Sequence, residues 1–151
     1  MRRVRDRGRG QAMVEFALIV PIFILLLVGL FDLGRAVFVY NAVNNAAREA
    51  GRLAIVDQYE DHVLDEAVAA SVGVGVDRDE ISITYELPGG GACTHVGTDQ
   101  IVRCVAVVSV PYAYQAATPI IGNLVGTIDI RGESRFPVSI NCDSSTCPYG
   151  S

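Results

Sequence analysis

Residues 12–31 (AMVEFALIVPIFILLLVGLF) hold 17 apolar residues in 20. A run of this kind has to be buried completely or placed in lipid. As a helix it covers roughly 30 Å at ~1.5 Å per residue, which matches the hydrocarbon core of a bilayer. Arg2, Arg3, Arg5, Arg7 and Arg9 stand directly before it, so the positive-inside rule predicts a single-pass anchor in the cytoplasmic membrane, N-terminus inside and the rest extracytoplasmic. A removable secretory signal is the competing reading. Against it stand the length of the run, the presence of Glu15, and the passage through Phe31-Asp32-Leu33-Gly34-Arg35 into further helical pattern without a small-residue cleavage site.

Charge divides the chain at the same place. All 12 basic residues are Arg, and residues 1–10 carry five of them against Asp6, giving that stretch +4 and leaving −9 of the net −5 to residues 11–151. No broad basic surface remains to grip a phosphate backbone, which argues against nucleic-acid binding. Outside the apolar run, 76 − 17 = 59 of 131 residues are apolar, about 45%, an ordinary value for a soluble domain. The chain therefore divides into a basic leader (1–10), a membrane-spanning and projecting helix (11–56) and an extracytoplasmic domain (57–151).

Glu15 is the anomaly in the span. A carboxylate there is costly unless it sits at the interface, is protonated or finds a partner. A cut between Gly10 and Gln11 would begin the helix with a positively charged amino group and make Glu15 its fifth residue, close enough to pair within one subunit or between two. An interfacial Glu is the simpler alternative. Pro21 removes one intrahelical bond. Beyond the span, Leu33, Val37, Tyr40, Asn44, Ala47, Gly51 and Ile55 recur every three or four residues and form one mostly apolar face, predicting a continuous helix from about Ala12 to Val56. Its small residues, Ala42, Ala46, Ala47, Ala50, Gly51 and Ala54, would permit close approach by another element.

The remainder reads as α+β: a second, amphipathic helix over 59–72 with an acidic first half, a strand over Ile81–Leu87 ended by Pro88-Gly89-Gly90-Gly91, and a strand over Ile101–Val110 limited by Pro111. A short helix near Pro119–Leu124 presses Ile120, Ile121, Leu124 and Val125 onto the domain, and a last strand or hairpin runs from Thr127 to Ile140 with its bend at Gly132-Glu133. Helices on one face of a small antiparallel sheet of three or four strands would supply its core.

Cys93, Cys104, Cys142 and Cys147 all follow the span, in the compartment where disulfides persist; Cys93–Cys104 and Cys142–Cys147 are the expected pairs because each closes a short loop. The spacing of Cys93, His95 and Cys104 is not a zinc pattern, so no metal or other cofactor is expected, and His62 and His95 read as surface or loop residues. Asp61, Asp65 and Glu66 form an acidic helix face, and Asp77, Asp79 and Glu80 crowd a turn. No serine carries a nucleophile motif, so nothing nominates an enzyme.

Residues 7–56 resemble the TadE-like family of the tight-adherence (Tad/Flp) pilus and secretion system. The likeness rests on Gly10-Gln11-Ala12 before Glu15-Phe16, Pro21 inside the span, Gly34-Arg35 after it, and Asn45-Ala46-Ala47-Arg48-Glu49-Ala50-Gly51-Arg52 in the projecting helix; a looser likeness covers residues 104–135. The resemblance implies a pilin-like fold and a minor pilin or pseudopilin supporting type IV pilus assembly. It implies processing by a prepilin peptidase at Gly10 and Gln11, and assembly roles for Glu15, Phe16, Pro21, Gly34 and Arg35. The implied partners are membrane lipid, other pilins and pseudopilins and the tight-adherence assembly platform, with association with the pilus itself. The alternative is a membrane-anchored extracytoplasmic module that binds a protein or envelope ligand.

Overall fold

The computed structural model describes residues 7–93 and 104–139. Along the chain these form α1 (Arg7–Leu53), α2 (Glu60–Ala70), a 3-10 turn at Arg78–Glu80, β1 (Ser82–Glu86), β2 (Val105–Gln115), α3 (Pro119–Val125) and β3 (Thr127–Pro137). The strands make one antiparallel sheet in the order β1-β2-β3. The class is α+β: one long apolar N-terminal helix carrying a small antiparallel sheet.

The C-terminal part of α1 is the spine of the domain. Val39, Val43, Ala46, Ala47, Ala50 and Ala54 are buried on it, against Val63, Leu64 and Ala67 of α2 and Ala106, Val108 and Val110 of β2. Alanine dominates this stripe because the sheet lies close. Gly51 of α1 faces Ser134 and Phe136 of β3, and Gly132 of β3 faces the backbone of Val43 and Asn44. The Ser134 hydroxyl donates to the Ala47 carbonyl at 2.5 Å. Contacts therefore advance four residues along α1 for every two along β3, so helix and strand run in the same direction. Four helical residues rise ~6 Å and two strand residues ~6.7 Å, and the two periods stay nearly in step along the seam.

Past Leu53 the helix unwinds, and Asp57 starts the reversal into α2. Its carboxylate, fully buried, accepts the Tyr59 N–H at 2.9 Å and bonds His62 Nδ1 at 2.8 Å, an Asx-type turn that uses both oxygens. After β1, Gly90 and Gly91 take positive φ, the Gly90 N–H donates to the Leu87 carbonyl, and the chain folds back so that the Cys93 N–H reaches the Tyr85 carbonyl at 2.8 Å. That return brings Cys93 to Cys104, and the two form a disulfide with a Cα separation of 6.0 Å.

Several sequence expectations are corrected. The helix starts at Arg7 and ends at Leu53, rather than running from Ala12 to Val56. The expected small-residue face is the one that packs, with Ala46, Ala47, Ala50, Gly51 and Ala54 buried, whereas of the periodic apolar stripe Leu33, Val37 and Tyr40 are exposed and Asp32, Val39 and Val43 are buried instead. Both faces are apolar there, so periodicity alone did not separate them, and the sheet chose the face with smaller side chains. Pro111 does not limit β2, which continues to Gln115. β1 ends at its Ser82–Ser109 pair, so from Val110 onward β2 has no sheet partner on that side, and a residue lacking an N–H breaks no ladder bond there. β3 runs without a bend through Gly132-Glu133. Gly132 serves close approach to α1 and does not turn the chain. The second helix is Glu60–Ala70 and the first strand Ser82–Glu86, each slightly shorter than expected.

Candidate membrane anchor and its junction with the sheet

The N-terminal half of α1 touches almost nothing. It is long and apolar enough to cross a membrane by length and composition, and none of its most apolar stretch is buried. That separates it from the core helix of a soluble protein. Gly10, Gln11, Glu15 and Phe16 are exposed on this half, and Pro21 lies within the helix. The helix passes through the Gly10-Gln11 bond unbroken. Gly34 and Arg35 are also exposed, where α1 emerges toward the sheet, and a side chain at Gly34 would meet open space.

The exposed apolar residues include a regular stripe. Phe16, Ile19, Phe23, Leu26, Leu30, Leu33, Val37 and Tyr40, spaced alternately three and four apart, are all exposed. Within the span such spacing is unremarkable because nearly every residue is apolar. The stripe nevertheless continues through Leu33, Val37 and Tyr40, beyond Asp32 and alongside Arg35. Seams with this spacing are the ones helices use to pack on one another.

Asp32 joins this helix to the sheet domain. It is buried, its Oδ1 accepts the Ala117 N–H at 3.1 Å, its Oδ2 accepts the Thr118 hydroxyl, and its carbonyl accepts the Tyr114 hydroxyl at 2.9 Å. Three donors are thereby satisfied at one level, and the connection between β2 and α3 is fixed to α1 at the end of its apolar run. In the sequence Asp32 reads only as part of the passage from the apolar run into further helical pattern. The available signal was an acid between Phe31 and Leu33, with a Thr-Pro helix start elsewhere in the chain needing a partner.

At the distal end, Arg78 bridges two acids of α2, with Nη2 2.6 Å from Asp61 and Nε 3.0 Å from Asp65. The Arg78 hydrogen bond holds the Asp61 carboxyl below the usual value of 3.8. His62, expected to be a surface or loop residue, is partly exposed, held by Asp57 and edge-on to Tyr59 at 4.7 Å. Tyr85 keeps its hydroxyl buried without a hydrogen-bond partner, and burial, with the nearby charges of Asp57 and Glu60, pushes this phenol up to about 12. Among the described residues no group of three His, Cys, Asp or Glu is placed to hold a metal. His95, Cys142 and Cys147 lie outside the described residues, as do residues 101–103 of the expected second strand.

Comparison with known proteins finds likeness in α1. Residues 10–52 match the family model described as TadE-like protein, and the looser likeness over residues 104–135 lies outside that match. No curated protein and no solved structure matches the chain. The sequence over which the chain is similar to TadE-like proteins is thus almost coextensive with one apolar helix suited to membrane anchoring.

Proposed function

We propose that this chain is a minor pilin or pseudopilin supporting assembly of a tight-adherence type IV pilus. The observation that carries the reading is the TadE-like match over residues 10–52 on a helix whose apolar outer stripe is uncovered as far as Tyr40. Lipid accounts for the exposed residues up to about Phe31. Leu33, Val37 and Tyr40 lie beyond the first buried acid and are better covered by another helix, which a neighbouring pilin provides.

In this reading the arginine-rich leader stays in the cytoplasm, α1 stores the subunit in the membrane, and the pilin-like sheet domain works on the extracytoplasmic side. A prepilin peptidase cuts between Gly10 and Gln11, and Glu15 neutralises the new amino group of its own or a neighbouring chain. Gly34 and Arg35 lie where α1 leaves the lipid and meets its partners, which include the assembly platform. The role is structural, without catalysis or cofactor.

The test is affinity capture of the membrane-extracted protein from its native host, with intact-mass measurement and site-directed crosslinking along residues 15–52. Recovery of other pilins through crosslinks at Leu33, Val37 or Tyr40, with a mass lacking residues 1–10, is expected. A single stable crosslink to an unrelated envelope protein would instead establish an anchored binding module, and retention of MRRVRDRGRG would reject maturation at Gly10.

A further inference from the structure

We infer that the α3 tip of the sheet domain is a second membrane contact, lying in the outer headgroup and acyl boundary of the same bilayer that α1 crosses. The inference rests on the membrane-anchor reading of α1 and adds a surface that reading does not contain.

Position is the first argument. A side chain at Gly29 of α1 would meet Ile121 Cδ1 of α3 at 3.8 Å, and an apolar cavity of about 200 Å³ between the two is lined by residues including Gly29, Leu33, Ile121, Val125 and Ile128. Counting from Ala12, Gly29 stands roughly 26 Å along a run of roughly 30 Å at ~1.5 Å per residue. α3 therefore packs on the last turn of the span, below Asp32. A bilayer matched to residues 12–31 reaches it without tilting.

Composition is the second. From Cys104 through Ile128 the sequence contains no Asp, Glu, Lys, Arg or His. Charge returns at Asp129 and continues through Arg131, Glu133 and Arg135, on the part of β3 that lies higher along α1. Val125 is 53% exposed and Ile128 43% exposed, although the sequence pattern presses Val125 onto the domain. These side chains adjoin Gly29 in the last turn of the apolar run, so the lipid that covers that turn covers them too.

Satisfied polar groups are the third. Backbone at the edge of hydrocarbon has to find its partners within the protein. Here Asp32 takes the Ala117 N–H and the Thr118 hydroxyl, the Gly122 N–H donates to the Thr118 carbonyl at 2.8 Å, and the Gly126 N–H donates to the Gly122 carbonyl at 2.9 Å. These groups are satisfied on the side facing α1, while Gln115, Thr118 and Asn123 line a polar groove at the same tip, which suits the headgroup edge of the boundary rather than its acyl interior. Two contacts with one bilayer would fix the tilt and rotation of the sheet domain over the membrane.

The chain has no Trp, so depth is measurable with single-Trp variants of the full chain in phosphatidylcholine vesicles whose acyl chains are brominated near the glycerol end, which report on V125W and I128W, or in a parallel set near the acyl terminus, which reports on F23W. V125W is the reporter and I128W a second, in case one substitution disturbs the fold. F23W marks the span, and Y59W marks the far end of the domain. The expected result is blue-shifted emission and severalfold stronger bromine quenching of V125W and I128W than of Y59W. Quenching of both no greater than that of Y59W, with F23W quenched, overturns the inference while leaving the anchor intact. An unquenched F23W overturns the anchor reading and the inference with it.

Discussion

Gly132 of β3 lies so close to Val43 of α1 that a methyl group in place of its hydrogen would stand 2.6 Å from the Val43 carbonyl carbon and 2.9 Å from the Asn44 nitrogen. The obstacle is helix backbone, which has no rotamer to change. G132A should therefore destabilise the domain by about 1–3 kcal/mol, the usual cost of overpacking. At Gly51 the nearest atoms are the Ser134 hydroxyl oxygen, which would have to leave the Ala47 carbonyl, and Phe136 Cδ2 at 2.8 Å; both belong to side chains, which can rotate where helix backbone cannot. G51A should cost less. Thermal unfolding of the detergent-solubilised protein, compared between the two variants, checks the order.

Asp32 should control the β2–α3 connection. D32A leaves the Ala117 N–H and the Thr118 hydroxyl without their acceptor, for which about 1–3 kcal/mol is expected. D32N keeps one carbonyl oxygen and should lose less. Amide hydrogen exchange at Ala117 should accelerate strongly in D32A while amides of α2 remain as protected as before. Equal acceleration at both sites would show that the fold as a whole depends on Asp32.

The Arg78 bridge sets an acid limit. Asp61 is held below its ordinary value in the folded protein, so its contribution to stability is fully present above about 3.8 and is lost as pH falls through the lower folded value. In R78A the Asp61 carboxyl should titrate closer to its ordinary value, as read by carbon-detected NMR of the side chain, and the decline in stability over that acid window should flatten. Both acids are well exposed, so stability near neutral pH should change little.

Tyr85 sets the alkaline limit. Its phenol titrates at about 12 when folded and near 10 when unfolded. The unfolded chain thus loses this proton first, and stability should fall as pH rises from about 10 to about 12. Y85F removes both the titration and a buried hydroxyl without a partner. At neutral pH it should be as stable as the parent protein or more stable by up to about 1 kcal/mol, and it should lose less stability in alkali.

The Cys93–Cys104 disulfide closes a loop of sequence separation 11. By chain entropy alone, its reduction should cost about 3 kcal/mol. Cys104 is fully buried at the start of β2, and Cys93 is held beside β1 by the bond from its N–H to Tyr85. C93S with C104S should lower the unfolding midpoint, with hydrogen exchange rising first in β1. No loss on removing both cysteines would show that the β1–β2 pairing is held by the ladder alone.

Much of the architecture was legible in the residues. The apolar run between an arginine cluster and Asp32, the alternation of Ile81–Leu87 and the Thr-Pro start before α3 each encode local structure in a handful of neighbours. Gly132 and Pro111 misled for one reason. Each is a strong local punctuator whose meaning depends on what lies beside it, and that is a residue far away in sequence: Val43 for the glycine, and the end of β1 for the proline. Asp32, Tyr114 and Thr118 were inconspicuous separately, since a three-residue junction spread over some eighty positions leaves no spacing to read.

By itself, the sequence determined that this chain has one concentrated apolar helix, that charge is segregated on either side of it, and that an α+β domain follows, because hydropathy, charge and short-range periodicity are properties of adjacent residues. Only the tertiary structure decided which face of α1 the sheet covers. Both faces were apolar enough to be buried, and the choice fell to the side where alanines, Gly51 and Gly132 let backbones approach. That choice turned Leu33, Val37 and Tyr40 outward, and with them the surface on which the proposed assembly depends.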